Sequence, residues 1–210
     1  MTNAPIQTIE RRRRDKELRR HSLIEAATSV FADRGYDCAT TREIAERAGC
    51  AEGLIHRYFS GKRGLLLAIL EARAGKVVED FVAALPDQDT IEEDIERILV
   101  WHLDTMWERR DFLRVAVSQA AVDSEIGRTI NEGIHNGRVR LTKDKLQKHS
   151  RAGRIRPEVD LDAMAQAITG LGFALGFSFQ VSLWQDRRLA RRIAVEAAAE
   201  ISRGISRRSQ

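Results

Sequence analysis

Thr40-Thr41-Arg42-Glu43-Ile44-Ala45-Glu46-Arg47-Ala48-Gly49-Cys50-Ala51-Glu52-Gly53-Leu54-Ile55-His56-Arg57-Tyr58-Phe59-Ser60-Gly61-Lys62 reads as two short helices joined by a tight turn. Thr40 and Glu43 have the Thr-x-x-Glu spacing of a capping box, which satisfies free amides at a helix start. Ile44, Ala45 and Ala48 form one apolar stripe, and Gly49 supplies the stop. Leu54, Ile55, Tyr58 and Phe59 repeat at helical spacing in the second helix, which ends at Ser60-Gly61. Two short helices with a glycine turn make a helix-turn-helix, whose second helix can enter the DNA major groove. An ordinary pair of packed amphipathic helices would show the same turn, so the surroundings have to decide.

The chain has 210 residues, enough for one compact domain or two small ones. Apolar residues make up 43% and charged residues 31%, as in a soluble protein. Only Pro5, Pro86 and Pro157 interrupt a sequence rich in Ala, Leu, Ile, Glu and Arg, which predicts an all-α protein of about nine helices. The net charge of +4 lies entirely in residues 1–63, with 13 Lys/Arg against 9 Asp/Glu. That is where a polyanionic partner would need it. Residues 1–15, with the run Arg11-Arg12-Arg13-Arg14, read as a flexible basic arm, either solvated or touching phosphate or the minor groove. Cys38 and Cys50 lack metal-site spacing and are expected as reduced thiols, although Cys50 lies near the turn, where a redox role is conceivable. The N-terminus lacks the pattern of a signal peptide. Ala163–Gln185 carries no charge and is long enough to span a bilayer. Its Gln166, Thr169, Ser178, Gln180, Ser182 and Gln185 favour a helix buried in a protein interface, with no membrane partner.

Helical periodicity places a first helix over about 15–34, the helix-turn-helix next, and a fourth helix from Ser60-Gly61 to about Leu85. The fourth is long enough, roughly 36 Å, to connect the DNA end with the body. Gly75 inside it marks either a bend or tight packing. Further helices cover about 90–109, 111–121, 124–149, 161–183 and 186–207. This gives a helix-turn-helix DNA-binding domain over 16–62 and a larger helical domain over 63–210, for which the resemblance set out next implies ligand binding and dimerisation.

The surroundings carry a resemblance. Ser22-Leu23-Ile24-Glu25-Ala26-Ala27 leads to Val30-Phe31-Ala32-Asp33-Arg34-Gly35-Tyr36, then Thr40-Thr41-x-x-Ile44-Ala45, Ala48-Gly49, Gly53 and Tyr58-Phe59-x-x-Lys62. In these residues the chain resembles the N-terminal domain of TetR/AcrR-type bacterial transcriptional regulators, over roughly Lys16–Leu70. The resemblance implies a homodimer, a DNA operator and a small-molecule inducer in the C-terminal domain. It also implies phosphate contacts at Thr41, His56 and Lys62. Three positions depart from the usual pattern. Ala51 replaces a common Ser or Thr cap, Leu54 a frequent Thr, and His56 a frequent Tyr, which puts individual contacts in question rather than the binding mode.

The candidate DNA-binding residues are Thr40, Thr41, Arg42, Ala51, Glu52, Gly53, Leu54, His56, Arg57, Tyr58 and Lys62. Ala51 suits a thymine methyl, Glu52 a cytosine amine or the positive helix end, and Arg57 guanine or phosphate. Gly53 lets the backbone approach the duplex. For the dimer interface, Gly172-x-x-x-Gly176 allows close helix approach, and Ile193, Ala197 and Ile201 share a face of the last helix. Packing within one subunit would use the same residues. A ligand pocket is expected between the fourth, fifth, seventh and eighth helices, with Trp101, His102, Met106, Trp107, Phe112, Phe173 and Phe177 as candidates. No Gly-rich phosphate loop, His-Glu-x-x-His or Gly-x-Ser-x-Gly occurs, and the five histidines form no metal-spaced pair. The sequence therefore predicts no catalytic residue, metal or cofactor. The expected function is a ligand-responsive repressor in the cytoplasm, with a nonspecific DNA binder or a small-molecule binding protein or enzyme as the alternatives.

Overall fold

The computed structural model describes residues 4–207, with residues 4–9 and Arg12 described in backbone only. Among the described residues, nine helices account for the fold. They are α1 (Ala4–Arg34), α2 (Thr41–Arg47), α3 (Gly53–Phe59), α4 (Lys62–Ala84), α5 (Ile91–Glu108) and α6 (Arg110–Val122). α7 runs continuously through Ser124–Thr129, the π-helical Ile130–His135 and Asn136–Arg151. α8 joins Leu161–Phe173 to the π-helical Ala174–Ser182, and α9 is Arg187–Ile205. An isolated antiparallel bridge, Ile155 to Ser206, ties the α7–α8 loop to the end of α9.

The first helix starts earlier than its apolar pattern suggests. Residues 4–15, expected as a flexible arm, continue α1 in one helix, and residues 1–3 lie outside the described residues. Arginine and glutamate are good helix formers, so the charged stretch prolongs a helix that the apolar face further on has nucleated.

Local chemistry explains most helix starts. Thr40 and Thr90 each form a capping box, with Glu43 and Glu93 respectively. Asp123, Asp160 and Asp186 cap α7, α8 and α9 by accepting backbone N–H groups. α3 has no such cap, because Glu52 at that position makes no capping bond. Gly49 sits at φ +65° in the α2–α3 turn, a conformation that costs glycine nothing.

Two cores result. The first joins Leu23, Ala27 and Phe31 of α1 to Ile44, Ile55 and Phe59 of the helix-turn-helix. It does not stop at the expected domain boundary after Lys62. It continues through Leu65, Leu66, Ile69 and Leu70 of α4 to Phe112, Val115 and Ala116 of α6 and Ile126 of α7. Each such fully buried aliphatic or aromatic side chain contributes about 1.5–3 kcal/mol of transfer free energy. The second core fills the body between α5, α7, α8 and α9.

The body also encloses a charged cluster that the sequence pattern gave no sign of. Asp94 accepts from Lys145 Nζ at 2.8 Å and from His149 Nε2 at 2.8 Å, all three being buried. Arg154 Nε donates to His149 Nδ1 at 2.9 Å, so the imidazole proton must sit on Nε2. The cluster fastens α7 to α5.

The uncharged helix α8 passes the length and composition test for a membrane span over Leu161–Ser182, but half of that window is buried inside the protein. Ala165, Ile168 and Leu175 belong to the second core. The Gly172/Gly176 pair faces inward as well. A Cβ on Gly172 would lie 2.8 Å from the His102 ring, and one on Gly176 would lie 2.8 Å from Met106 Sδ. These two glycines let α8 close on α5 of the same chain, which corrects their assignment to a dimer interface. On α8 the alanines left exposed are Ala163, Ala167 and Ala174.

Candidate DNA-binding surface and ligand cavity

Helix α3 buries Ile55 and Phe59, half-buries Leu54 and Tyr58, and exposes Glu52, Gly53, His56 and Arg57. Ala51, just before it, is exposed too. The exposed residues are the side chains that a recognition helix would turn toward base edges. Leu54 packs against the first core, so its share in DNA contact is limited to its exposed edge. Lys16 lies 6.0 Å from the Tyr58 ring centre and Arg20 5.3 Å from that of Phe59. The basic part of α1 therefore runs beside α3 and extends its positive surface.

Four candidates, Thr40, Thr41, Glu52 and Lys62, have local partners. Lys62 Nζ donates to the carbonyls of Tyr36 at 2.6 Å, Ala39 at 3.1 Å and Asp37 at 3.2 Å, and lies 4.5 Å from the Tyr36 ring centre. An ammonium has three N–H bonds, so none is left for phosphate. Lys62 closes the α1–α2 loop over the start of α4. Thr41 Oγ1 donates to Glu52 at 2.5 Å, linking the starts of α2 and α3 and occupying both groups. Thr40 is engaged in its capping box. Arg42 is exposed and pairs with Glu46 at 3.0 Å, a weak surface pair that DNA can replace. Cys50 is half-buried, and burial pushes its thiol up, opposed by the charge of Arg19. That makes it a poorer nucleophile than a free thiol.

Behind this surface, α4 leads to a cavity of about 350 Å³. Five of the seven expected residues line it, namely Trp101, His102, Met106, Phe112 and Phe173. Trp107 and Phe177 do not. They pack with Met106 and Val181 in a small cluster beside the cavity. α6 contributes a wall that the sequence reading left out, through Phe112, Leu113, Ala116, Val117 and Ala120. The π-helical turn of α7 brings Ile130, Asn131, Ile134 and His135 to the same space, as π-turns often do at functional sites.

The polar lining also escaped sequence reading, because charged residues there are scattered among polar helix faces. Arg73, Asp80, Arg109 and Arg138 all border the cavity. Arg109 pairs with Asp80 at 3.1 Å. His102 is wholly buried, and its Nδ1 lies 2.8 Å from the carbonyl of Ile98. A carbonyl only accepts, so Nδ1 carries the proton and Nε2 is a bare acceptor without a partner among the described residues. Burial, and then the charge of Arg138, pushes His102 down to about 3, so the ring is neutral at physiological pH.

The two sites share material. Leu70, Phe112 and Ala116 belong to the core under the helix-turn-helix and also line the cavity. Arg63, on the first turn of α4, donates to Asp123 at 2.6 and 3.0 Å and to Glu125 at 2.6 Å, across the α6–α7 junction. These bonds raise the Arg63 pKa and hold the Asp123 carboxyl down to about 2.

A helix-turn-helix in front, a long fourth helix and a partly open cavity behind are the architecture of a DNA-binding regulator. Residues 23–69 match the family of bacterial regulatory proteins called tetR, so the N-terminal domain is a helix-turn-helix domain of the TetR type. It is 26% identical over 151 residues to the fatty acid metabolism regulator protein of Bacillus subtilis, covering 70% of this chain and 76% of that one. The transcriptional regulator FadR from Bacillus subtilis, solved in complex with stearoyl-CoA, superposes with a TM-score of 0.69 at 21% identity over 88% of this chain and 98% of that one. A regulator from Saccharomonospora viridis, solved in complex with choline, gives 0.71 at 21% identity over 90% and 98%. These likenesses extend the fold beyond the DNA-binding part to nearly the whole chain.

Proposed function

We propose that this protein is a ligand-responsive, sequence-specific transcriptional repressor. It acts as a homodimer on a pseudo-palindromic operator and is released by a small apolar or amphipathic molecule bound in the cavity. It works through binding equilibria, in the cytoplasm where the operator lies, and not through catalysis. The observation that carries this reading is the shared core. A ligand pressing on Leu70, Phe112 and Ala116 moves side chains that also support α3. Neighbours of the same fold were solved with stearoyl-CoA and with choline, two chemically unlike molecules. The family likeness therefore favours a ligand in this position without choosing one.

In the dimer the exposed small residues Ala163, Ala167 and Ala174 of α8 meet the half-exposed Ile193, Ala197 and Ile201 of α9. Close helix approach between two copies would form a four-helix interface. The two recognition helices would then sit about 34 Å apart, one turn of the duplex. Ligand shifts the population toward a conformer in which α4 is tilted and this spacing is lost. A coupling of roughly 1–3 kcal/mol is enough.

The test is binding to the gene's own upstream region against random duplex across a salt series. A strong preference for the upstream fragment, together with a steep fall in affinity with salt, is expected. Equal affinity for both would favour a nonspecific DNA binder.

A further inference from the structure

We propose that the cavity selects an amphipathic anion, with its carboxylate or phosphate head held by Arg73 and Arg138 and its apolar body against Leu70, Phe112, Ile130 and Ile134. This rests on the reading of the cavity as a ligand site and deepens it.

The argument begins with charge. Three guanidinium groups and one carboxylate border the cavity, and Asp80 pairs with Arg109. Arg73 and Arg138 make no ion pair among the described residues, and the buried Nε of each has no hydrogen-bond partner. Both groups stack on aromatic faces instead. Arg73 lies 4.5 Å from the Phe112 ring centre and Arg138 5.3 Å from that of Trp101. Stacking uses the face of a guanidinium and leaves its edge of N–H donors free.

This arrangement is costly for the empty protein. Burial, and then repulsion from Arg109, lowers both arginines, Arg138 to about 10. Both still carry charge at neutral pH. An unpaired buried charge destabilises a fold, so packing alone gives no reason to keep two of them. A carboxylate or phosphate would supply the missing acceptors and offset the repulsion, with a planar fork suited to either. A cationic ligand would meet three like charges. A neutral chain would gain the apolar contact and give the terminal N–H groups of both guanidiniums no acceptor.

The experiment titrates the full-length protein with four twelve-carbon probes below their micelle concentrations, namely dodecanoate, dodecyl phosphate, dodecanol and dodecyltrimethylammonium. Binding is read by calorimetry and by Trp fluorescence. At least one of the two anions is expected to bind about ten-fold or more tightly than the alcohol and the cation, and which anion leads identifies the head group. Arg73→Gln and Arg138→Gln should each lose that preference while still binding dodecanol. Their melting temperatures without ligand should stay the same or rise, whereas arginines serving only the fold would give a fall. Arg138→Lys should recover part of the preference. Binding of the alcohol or the cation as tightly as the anions, or no binding by any probe, overturns the proposal. Anion binding that leaves operator affinity unchanged would sustain the charge assignment and overturn the inducer reading of the cavity.

Discussion

At Lys62 three N–H bonds meet the carbonyls of Tyr36, Asp37 and Ala39, in the loop that aligns α1 with α2. Replacing it with methionine keeps the stem and removes the donors. Lys62→Met should therefore destabilise the protein by about 1–3 kcal/mol, read as a lower urea midpoint, with the folded variant still binding DNA. Unchanged stability with a uniform loss of DNA affinity would restore the phosphate role. His102 gives a pH effect with a definite sign. Its folded pKa of about 3 lies below the ordinary 6.5, so between those values the unfolded chain binds the proton and the folded chain does not. Stability is thus lost as pH falls from about 6.5 toward 3, by up to about 1.4 kcal/mol per pH unit. Urea unfolding at pH 7 and pH 5 should show a smaller difference for His102→Gln than for the wild type.

Among the elements, α4 carries two glycines with opposite roles. A Cβ on Gly64 would collide with the carbonyl of Phe59 at the end of α3, whereas one on Gly75 would meet nothing within 4 Å. Gly64→Ala should cost at least about 2 kcal/mol, because α3 and α4 must separate. Gly75→Ala should stabilise by about 0.5–1 kcal/mol, since it only restricts the unfolded chain. Thermal unfolding of both variants checks this pair. If Gly75 serves as the bending point of α4, the stabilised variant will also resist release from the operator. The π-helical turn at Ile130–His135 belongs to the same scale. It packs on α4, where Gly133 faces Ala74, and brings the first half of α7 to the cavity.

For the molecule as a whole, the homodimer sets the operator geometry. Ala167 on α8 is exposed and Ala197 on α9 is half-buried at the surface. Ala167→Glu places a charge on the proposed interface, where its desolvation is unfavourable. The variant should sediment as a folded monomer and bind the operator at least about ten-fold more weakly, since linked half-sites would no longer act together. A dimer that survives this change would place the interface elsewhere.

The helix-turn-helix, the helix count and most helix boundaries were legible in the sequence, because capping boxes, turn glycines and a 3.6-residue apolar period are local signals. Thr40, Gly49 and the pairs Leu54/Tyr58 and Ile55/Phe59 carry that information within a few residues of where it acts. The helical continuation of α1 through its arginines was not legible, since a charge run has no apolar period to read. Nor was the difference between Trp101, which lines the cavity, and Trp107, which lies beside it. What faces a cavity depends on how five helices cross, and a local pattern does not encode crossing geometry. By itself, then, the sequence determined an all-helical chain with a DNA-reading motif at its N-terminal end. Only the tertiary structure decided that Lys62 serves the loop, that Gly172 and Gly176 close on α5, and that Arg73 and Arg138 both line the cavity without ion-pair partners among the described residues. Each of those depends on atoms brought together from distant parts of the chain.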